Sequence, residues 1–154
     1  MKWLIDDITI AKKKAKDLGY HFSIRLNNTS DISPESFYLS IDGVNKNILE
    51  IFPDVQFYDY TKVPNRMRLK MKYPNYDLTF SFSGNNMDEC FKMLQNNIRV
   101  AMVFDKVPTS YKGYNVIDGD QDDMRYRDDK DVIVGLKFKR VRNKLDKKYK
   151  FVIQ

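Results

Sequence analysis

The stretch that decides the fold is Val55-Gln-Phe-Tyr-Asp-Tyr-Thr-Lys62, an apolar run of strand length that ends in polar residues. Three more runs of this kind are present: Phe22-Ser-Ile-Arg-Leu-Asn27, Tyr76-Asp-Leu-Thr-Phe-Ser-Phe-Ser83 and Val100-Ala-Met-Val-Phe-Asp105. Segments of helix length separate the four runs. This order predicts βαβ units, and therefore an α/β fold with a mostly parallel sheet flanked by helices.

The polar residues that end these runs are the first candidates for function. In parallel sheets, ligands bind outside the carboxyl ends of the strands, because those ends meet at the same edge. We therefore expect one rim of the sheet to carry Asn27, Asp59, Lys62, Ser83 and Asp105.

The rest of the chain predicts a helix at each side of the first strand and a hairpin at the end. Residues 3–18 have apolar side chains at helical spacing, and Gly19 supplies a stop. Within residues 35–52, Gly43 and Asn45 interrupt any helix that begins there, and Ile48, Leu49, Ile51 and Phe52 predict a second, short apolar helix. The segments 131–139 and 149–153 predict a closing antiparallel hairpin. We expect a single α/β domain over residues 1–154.

Charge and cysteine content limit the classes of function. The 27 Lys and Arg residues outnumber the 21 Asp and Glu residues, which gives a net charge of +6 and favours polyanionic partners. Cys90 is the only cysteine and His21 the only histidine, so this chain alone forms neither an internal disulfide nor a Cys/His zinc site. No apolar stretch approaches the length of a membrane span. We expect a cytoplasmic protein in a reducing compartment.

An acidic segment, residues 118–131, contains the densest group of chemically active side chains. Asp118, Asp120 and Asp122 have the spacing of the first three ligands of a calcium loop. The pattern then fails, because Asp123 stands where the loop needs Gly and Asp129 where it needs Glu.

Two interpretations of this segment stay open. A Mg²⁺ site needs only one or two carboxylates and substrate oxygens, so Mg²⁺ or Ca²⁺ remains a candidate cofactor. The alternative is a solvated loop in which Arg125 and Arg127 form internal ion pairs. Near a strand end, Asp59 and Lys62 are the residue types of an acid/base pair, although a structural ion pair is the commoner arrangement. We assign no catalytic residue.

The basic end of the chain favours contacts with phosphates. Phe138 and Tyr149 alternate there with lysines and arginines, a composition that suits nucleic acid. We expect the acidic segment and this basic end to form a partner-binding surface. Its candidate residues are Asp118, Asp120, Asp122, Asp123, Asp128, Asp129, Lys137, Lys139, Arg140 and Arg142.

Six blocks of the sequence form a set: Arg25-Leu-Asn-Asn-Thr-Ser-Asp31, Phe52-Pro-Asp-Val-Gln-Phe-Tyr-Asp-Tyr-Thr-Lys62, Asn75-Tyr-Asp-Leu-Thr-Phe-Ser81, Val100-Ala-Met-Val-Phe104, Val116-Ile-Asp-Gly-Asp120 and Val132-Ile-Val-Gly-Leu-Lys137. Taken in this order, the blocks resemble a family of phage and plasmid proteins labelled gene product 88.

The resemblance implies a sheet of the partial, or half, barrel type. Longer members look like partial α/β barrels with a cysteine-containing N-terminal segment, so this chain resembles a shortened form that lacks this segment. The rim residues that match the family blocks are Asn27, Asp31, Asp59, Lys62, Ser81, Asp118 and Asp120.

These features support three hypotheses of function. The first is a mobile-element accessory protein that binds a host protein or nucleoprotein stoichiometrically, as an anti-CRISPR-type inhibitor of a defence nuclease does. The second is a metal-dependent enzyme acting on nucleic acid or nucleotides, and the third is a plain nucleic-acid-binding module. A half-barrel leaves an exposed sheet edge, so dimerisation also stays open.

Overall fold

A computed structural model describes residues 2–139 and 149–154 of the chain. Within these residues it contains four α-helices and three 3₁₀ turns. The α-helices are α1 (Lys2–Asp17), α2 (Ile48–Ile51), α3 (Leu69–Lys72) and α4 (Met87–Gln95). The 3₁₀ turns are Pro34–Ser36, Pro64–Arg68 and Arg125–Arg127.

The described residues also form ten strands. They are β1 (Ser23–Arg25), β2 (Tyr38–Ile41), β3 (Val44–Asn47), β4 (Gln56–Thr61), β5 (Tyr76–Ser81), β6 (Val100–Phe104), β7 (Ser110–Tyr111), β8 (Tyr114–Asp118), β9 (Ile133–Lys137) and β10 (Val152–Ile153). The four strands predicted from apolar runs are thereby confirmed as β1, β4, β5 and β6.

Eight of these strands form one mixed sheet that is mostly parallel. Its order is β1-β4-β5-β6-β9-β8-β7, and β10 pairs with β6. The parallel pairs include β1 with β4, β5 with β6, and β9 with both β6 and β8. Across the described strands the order ends at β1 and β7 without closing into a barrel. The predicted α/β fold with a mostly parallel sheet is therefore confirmed.

A β-hairpin replaces the interrupted helix that residues 35–52 predicted. Strands β2 and β3 pair antiparallel from Tyr38 with Asn47 to Ile41 with Val44. The turn residues Asp42 and Gly43 have φ values of 50° and 78°, the left-handed values that a two-residue hairpin turn needs. The Asp-Gly pair is thus the centre of a hairpin, and the helical prediction was wrong for residues 38–47. The short apolar helix predicted after them is confirmed as α2.

An antiparallel hairpin is present in the C-terminal half, but different strands form it. Strands β7 and β8 pair antiparallel around Lys112 and Gly113, which also have positive φ values. The predicted partners, β9 and β10, instead each pair parallel with β6. Strand β5 bonds β6 only at the level of Val100 and Ala101, and β10 continues beside β6 further along. The vacant backbone groups of β6 explain why β10 docks there.

By internal contacts the chain divides into two compact units. Unit 1 contains the residues up to Asp59 together with Arg68–Asp77. Unit 2 contains Tyr60–Met67 together with the residues from Leu78 onward. The buried apolar residues of unit 1 include Ile48, Leu49, Val55, Phe57, Tyr73 and Tyr76. The core cluster of unit 2 consists of Phe80, Cys90, Leu94, Val100, Met102, Phe104 and Ile133.

Helix α1 confirms the predicted first helix, but little of its apolar side is buried. Ile8 is 4% exposed, whereas Trp3 and Ile10 are 67% and 66% exposed. In the described part of the chain, no helix is both long enough and apolar enough to cross a membrane.

Candidate functional site

The carboxylate of Asp59 lies at the centre of a buried polar cluster in unit 1. Asn27 donates its backbone N–H to Oδ1 of Asp59 at 2.8 Å and its side-chain amide to Oδ2 at 3.1 Å. The hydroxyl of Tyr76 donates to the same Oδ2 at 2.8 Å. Asp59, Asn27 and Tyr76 are 1%, 5% and 0% exposed. The buried carboxylate is therefore compensated by three hydrogen bonds.

The same cluster fixes the loop that follows β1. The side-chain oxygen of Asn27 accepts hydrogen bonds from Ser30 Oγ at 2.9 Å and from the backbone N–H of Ile32 at 3.2 Å. Asp31 is exposed in this loop. Asp59 lies on the buried side of β4, where every second residue from Phe57 to Thr61 is inaccessible. Its geometry is that of a loop anchor, since its two oxygens are directed to Asn27 and Tyr76.

The predicted rim residues divide between the two units. Asn27 and Asp59 belong to unit 1, where they are in direct contact. Lys62 is exposed after β4, and Ser81 is half-buried at the end of β5. The backbone N–H of Ser83 bonds Asn86 Oδ1 at 2.7 Å, and its hydroxyl bonds Asn85, so Ser83 belongs to a local turn.

The C-terminal strand covers the carboxyl end of β6. The backbone N–H of Asp105 donates to the carbonyl of Ile153 at 2.9 Å. Gly84, which follows β5, has a φ of +100°, and an added Cβ would lie 2.9 Å from the carbonyl carbon of Lys150. Strand β10 and the turn before it therefore occupy the space beside β6 in which a ligand was expected.

The acidic segment is the connection between the parallel strands β8 and β9. We call residues 118–131 the acidic crossover. Such connections usually contain an α-helix, but here the only helical element is the 3₁₀ turn Arg125–Arg127. Gly119 permits close packing, because an added Cβ would lie 2.5 Å from Val134 Cγ1. The crossover is thus an irregular segment that packs directly on the sheet.

The buried side chain of Arg125 contacts several groups of the acidic crossover. Its side chain is 2% exposed, and its Nη2 donates to the carbonyl oxygen of Asp122 and to Asp122 Oδ1. Its Nη1 lies 3.1 Å from Asp128 Oδ2, an ion-pair distance at which the angle is unsuitable for a hydrogen bond. The interpretation in which Arg125 forms internal ion pairs is confirmed. Arg127 instead lies over the ring of Tyr126, with 5.6 Å between its Cζ and the ring centre.

A second buried guanidinium, Arg99, lies in the same unit just before β6. It is 1% exposed, donates to the carbonyl oxygen of Asp128 at 2.9 Å, and lies 3.5 Å from Thr79 Oγ1. Burial, reinforced by the neighbouring charge of Arg125, lowers the pKa of Arg99 to about 10. Burial likewise raises the pKa of Asp128, although Arg125 and Arg99 act in the opposite direction. The crossover is therefore held over buried positive charge.

The aspartates of the crossover bond to the chain itself. Asp118 Oδ1 accepts from the backbone N–H of Asp120 at 2.9 Å, and Asp122 Oδ1 accepts from that of Met124 at 2.8 Å. The latter bond is the main cause of the lowered pKa of Asp122. Asp120 Oδ2 accepts from the backbone N–H of Lys137 at 2.8 Å.

Asp118, Asp120 and Asp122 are the candidate metal ligands of the acidic crossover. Among the described residues, no three carboxylate, histidine or cysteine side chains form a group that could hold a metal ion. Asp118 and Asp122 each direct one oxygen to a backbone N–H two residues further along, and Asp120 directs one to the backbone N–H of Lys137.

The other residues predicted to bind a partner are mostly exposed. Asp123 is exposed and accepts a hydrogen bond from Tyr60 Oη at 3.1 Å, and Asp129 is exposed. Lys139 is 86% exposed, with its Nζ 3.5 Å from Asp120 Oδ1. Lys137 is also exposed. Arg140 and Arg142 lie outside the described residues.

Sequence reasoning missed Arg99, Tyr76 and Asn75 as organising residues. Asn75 donates from Nδ2 towards the carbonyl oxygens of Leu49, Phe52 and Val55, and so closes the turn before β4. A charged residue placed directly before a fully apolar strand, as Arg99 is, was the one available signal. Its burial depends on the crossover, which folds over it from a remote part of the sequence.

The family blocks coincide with these structural centres. The sequence matches the family described as Gene product 88 over residues 1–153. The chain belongs to the Gene product 88 family. Three blocks meet at the carboxylate of Asp59 through Asn27 and Tyr76, and the other three contain the neighbouring strands β6, β8 and β9. No curated protein and no solved structure matches the chain.

Proposed function

We propose that this Gene product 88 member is a phage accessory protein that acts by stoichiometric binding to a host nucleic-acid-binding protein. The contact surface is the acidic crossover, and the specific target is a defence nuclease of the CRISPR type. The proposed site of action is the host cytoplasm. The single cysteine of this protein, Cys90, is a buried free thiol, which suits a reducing compartment.

The observation that carries this proposal is the charge arrangement of the crossover. The segment contains seven aspartates and three basic residues, a net charge of −4 in a chain of net charge +6. Six of the aspartates are exposed, and Arg125, which pairs with Asp122 and Asp128, is buried. The crossover therefore presents carboxylates to solvent on a framework fixed from below.

A surface of this kind suits a groove that normally binds phosphates. Such grooves contain exposed lysines and arginines, and carboxylates at similar spacing satisfy the same donors. The rest of the chain is basic, so the mimicry is local to the crossover. Binding through a fixed surface requires no turnover, which is why we propose an inhibitor rather than an enzyme.

The test is a titration of a purified CRISPR nuclease with this protein. We expect DNA cleavage to fall linearly and to end near one protein per nuclease. The variant Asp129→Asn/Asp131→Asn should weaken inhibition by about tenfold, since each exposed carboxylate contributes up to roughly 1 kcal/mol to the binding free energy. Both residues are exposed, and neither carboxylate is needed for the loop contacts described above.

Matched charge removal elsewhere is the control. Asp6→Asn/Asp17→Asn removes two exposed carboxylates from α1 and should leave inhibition unchanged. Inactivation of the nuclease by far less than one equivalent would indicate an enzyme and would reject the proposal. Equal loss in both double variants would show that only net charge matters. Full cleavage at a large excess of the protein would reject this class of target.

A further inference from the structure

We infer that an aromatic cluster in unit 2, consisting of Phe138, Tyr149 and Phe151, is a binding site for single-stranded nucleic acid. It differs from the acidic crossover in both residues and ligand chemistry. The inference therefore does not depend on the proposed function.

The three rings form a closed set of contacts. The ring centres of Phe138 and Tyr149 are 5.3 Å apart, those of Tyr149 and Phe151 are 5.5 Å apart, and those of Phe138 and Phe151 are 6.3 Å apart. The ring planes are inclined to one another by 48° to 69°. The rings therefore do not stack face to face, and the cluster remains accessible, with Phe151 38% exposed.

The backbone around the cluster is held at several points. The N–H of Phe138 donates to the carbonyl of Phe104 at 2.8 Å, and the N–H of Val152 donates to that of Tyr149 at 3.0 Å. Gly84 lies against the turn at Lys150, where a Cβ would meet backbone at 2.9 Å. A ring whose backbone is held in this way loses less conformational entropy when a base stacks on it.

Lysines flank the cluster along the chain. Lys137 and Lys139 are on either side of Phe138, and Lys150 lies between Tyr149 and Phe151; all three are exposed. Lys139 also interacts with Asp120 at 3.5 Å, so its charge is shared with the acidic crossover. Exposed aromatic rings together with unburied ammonium groups supply the two contacts that a single strand needs, one for bases and one for phosphates.

The same features disfavour a duplex as the ligand. In a duplex the base faces are covered by neighbouring bases, so the rings would have nothing to stack on. Lysine is depleted in protein interfaces, so the three lysines beside the rings favour a nucleic acid over a protein as the ligand. Single-stranded DNA or RNA is therefore the occupant that the aromatic cluster and its lysines fit together.

Fluorescence anisotropy with a fluorescein-labelled oligothymidylate of about 20 nucleotides tests the inference. We expect the wild-type protein to bind this oligonucleotide with an affinity that falls as the salt concentration rises. The substitution Phe151→Leu should lower the affinity by about tenfold, because one base loses its stacking partner. Phe37→Leu removes an aromatic ring of unit 1 that is 52% exposed, and it should leave binding unchanged. Denaturant midpoints of both variants check that each remains folded.

Three outcomes would overturn the inference. They are no binding at low salt, equal affinity of wild type and a folded Phe151→Leu variant, and equal affinity for the labelled single strand and the corresponding duplex. The last two would leave only general attraction between a basic protein and a polyanion. The variant Asp129→Asn/Asp131→Asn, which tests the acidic crossover, should retain oligothymidylate binding, so the two proposals succeed or fail separately.

Discussion

Asn27 bonds both carboxylate oxygens of Asp59, one through its backbone N–H and the other through its side-chain amide. The two residues are 32 positions apart in the sequence and belong to neighbouring parallel strands or their ends. The side-chain oxygen of Asn27 also accepts hydrogen bonds from the hydroxyl of Ser30 and the backbone N–H of Ile32. One asparagine therefore links β4 to the loop after β1.

Removing the negative charge at Asp59 should destabilise the protein. In Asp59→Asn, one oxygen becomes an amide that cannot accept from either Asn27 or Tyr76, so buried donors lose their partner. We expect the free energy of unfolding to fall by about 2 kcal/mol. Tyr76→Phe, which deletes one donor, should cost about 1 kcal/mol. Urea unfolding followed by circular dichroism measures both, and a midpoint equal to that of wild type would contradict the role of the anchor.

Arg125→Met should loosen the acidic crossover. The change leaves the partly buried carboxylate of Asp128 without its ion pair, and we expect a loss of about 3 kcal/mol. Arg127→Met removes an exposed guanidinium and should cost less than about 0.5 kcal/mol. Hydrogen exchange gives the location, because protection of the N–H groups of Arg127 and Asp128 should decrease only in the Arg125 variant. Similar effects of both changes would contradict this account.

The contribution of Asp128 to the free energy of unfolding should become more favourable as the pH falls. Burial raises the pKa of its carboxyl above 3.8, so the folded state binds the proton more tightly than the unfolded state. The resulting cost is present above the folded-state pKa and is relieved as the pH falls through it towards 3.8. Asp128→Asn removes this titration. Its stability relative to wild type should therefore be greatest near pH 7 and should decrease towards about pH 4.

Asp54 provides the opposite dependence as a control. Its pKa is lowered, chiefly by the side-chain hydrogen bond from Lys12, so its contribution is present above 3.8 and is lost as the pH falls through the lowered value. Asp54→Asn should be less stable than wild type at neutral pH, and the difference should close in acid. Parallel pH profiles for Asp54→Asn and Asp128→Asn, from the same unfolding experiments, would refute both assignments.

Gly84→Ala should release the C-terminal strand. The alanine would have to adopt a φ of +100°, and its Cβ would lie 2.9 Å from the carbonyl carbon of Lys150. The turn before β10 would therefore have to move. We expect a cost of about 2 kcal/mol, compared with about 1 kcal/mol for Gly19→Ala, which has a positive φ but nothing within 4 Å. Exchange at the N–H of Asp105, which bonds Ile153, reports the release. Equal losses would show that the close approach is unimportant.

The thiol of Cys90 should be unreactive until the protein unfolds. Burial, reinforced by Glu89, raises its pKa to about 12, and the side chain belongs to the core cluster of unit 2. A disulfide reagent at about pH 8 should therefore modify almost none of the native protein, because the thiolate is the reactive form. Labelling in denaturant should be complete. Rapid labelling under native conditions would place Cys90 outside the core.

Strands β1, β4, β5 and β6 were predictable from the sequence because each is a short apolar run with polar ends. The hairpin of β2 and β3 was also encoded locally, in Asp42-Gly43, but that pair was interpreted as a break in a helix. Strand β10 was placed beside β9 by proximity in sequence, whereas it pairs with the groups of β6 that β5 leaves vacant.

The candidate site was predictable only as a list of residue types. The directions of the aspartates in the acidic crossover depend on which backbone N–H each one reaches. The burial of Arg99 and Arg125 depends on packing between segments about 26 residues apart in the chain, a distance that no local pattern records. The anchor at Asp59 similarly needs Asn27 from the loop after β1 and Tyr76 from β5.

The alternation of the two compact units along the chain has a practical consequence for dissecting the protein. A fragment that stops after Asp59 lacks Arg68–Asp77, and with it Tyr73, Asn75 and Tyr76, whose side chains hold Asn47, the turn before β4 and Asp59. A fragment that begins at Leu78 lacks the other part of unit 2. No single cut yields either unit whole, so expression of halves should give unfolded chains, and only internal deletion with religation of the flanking ends isolates one of them.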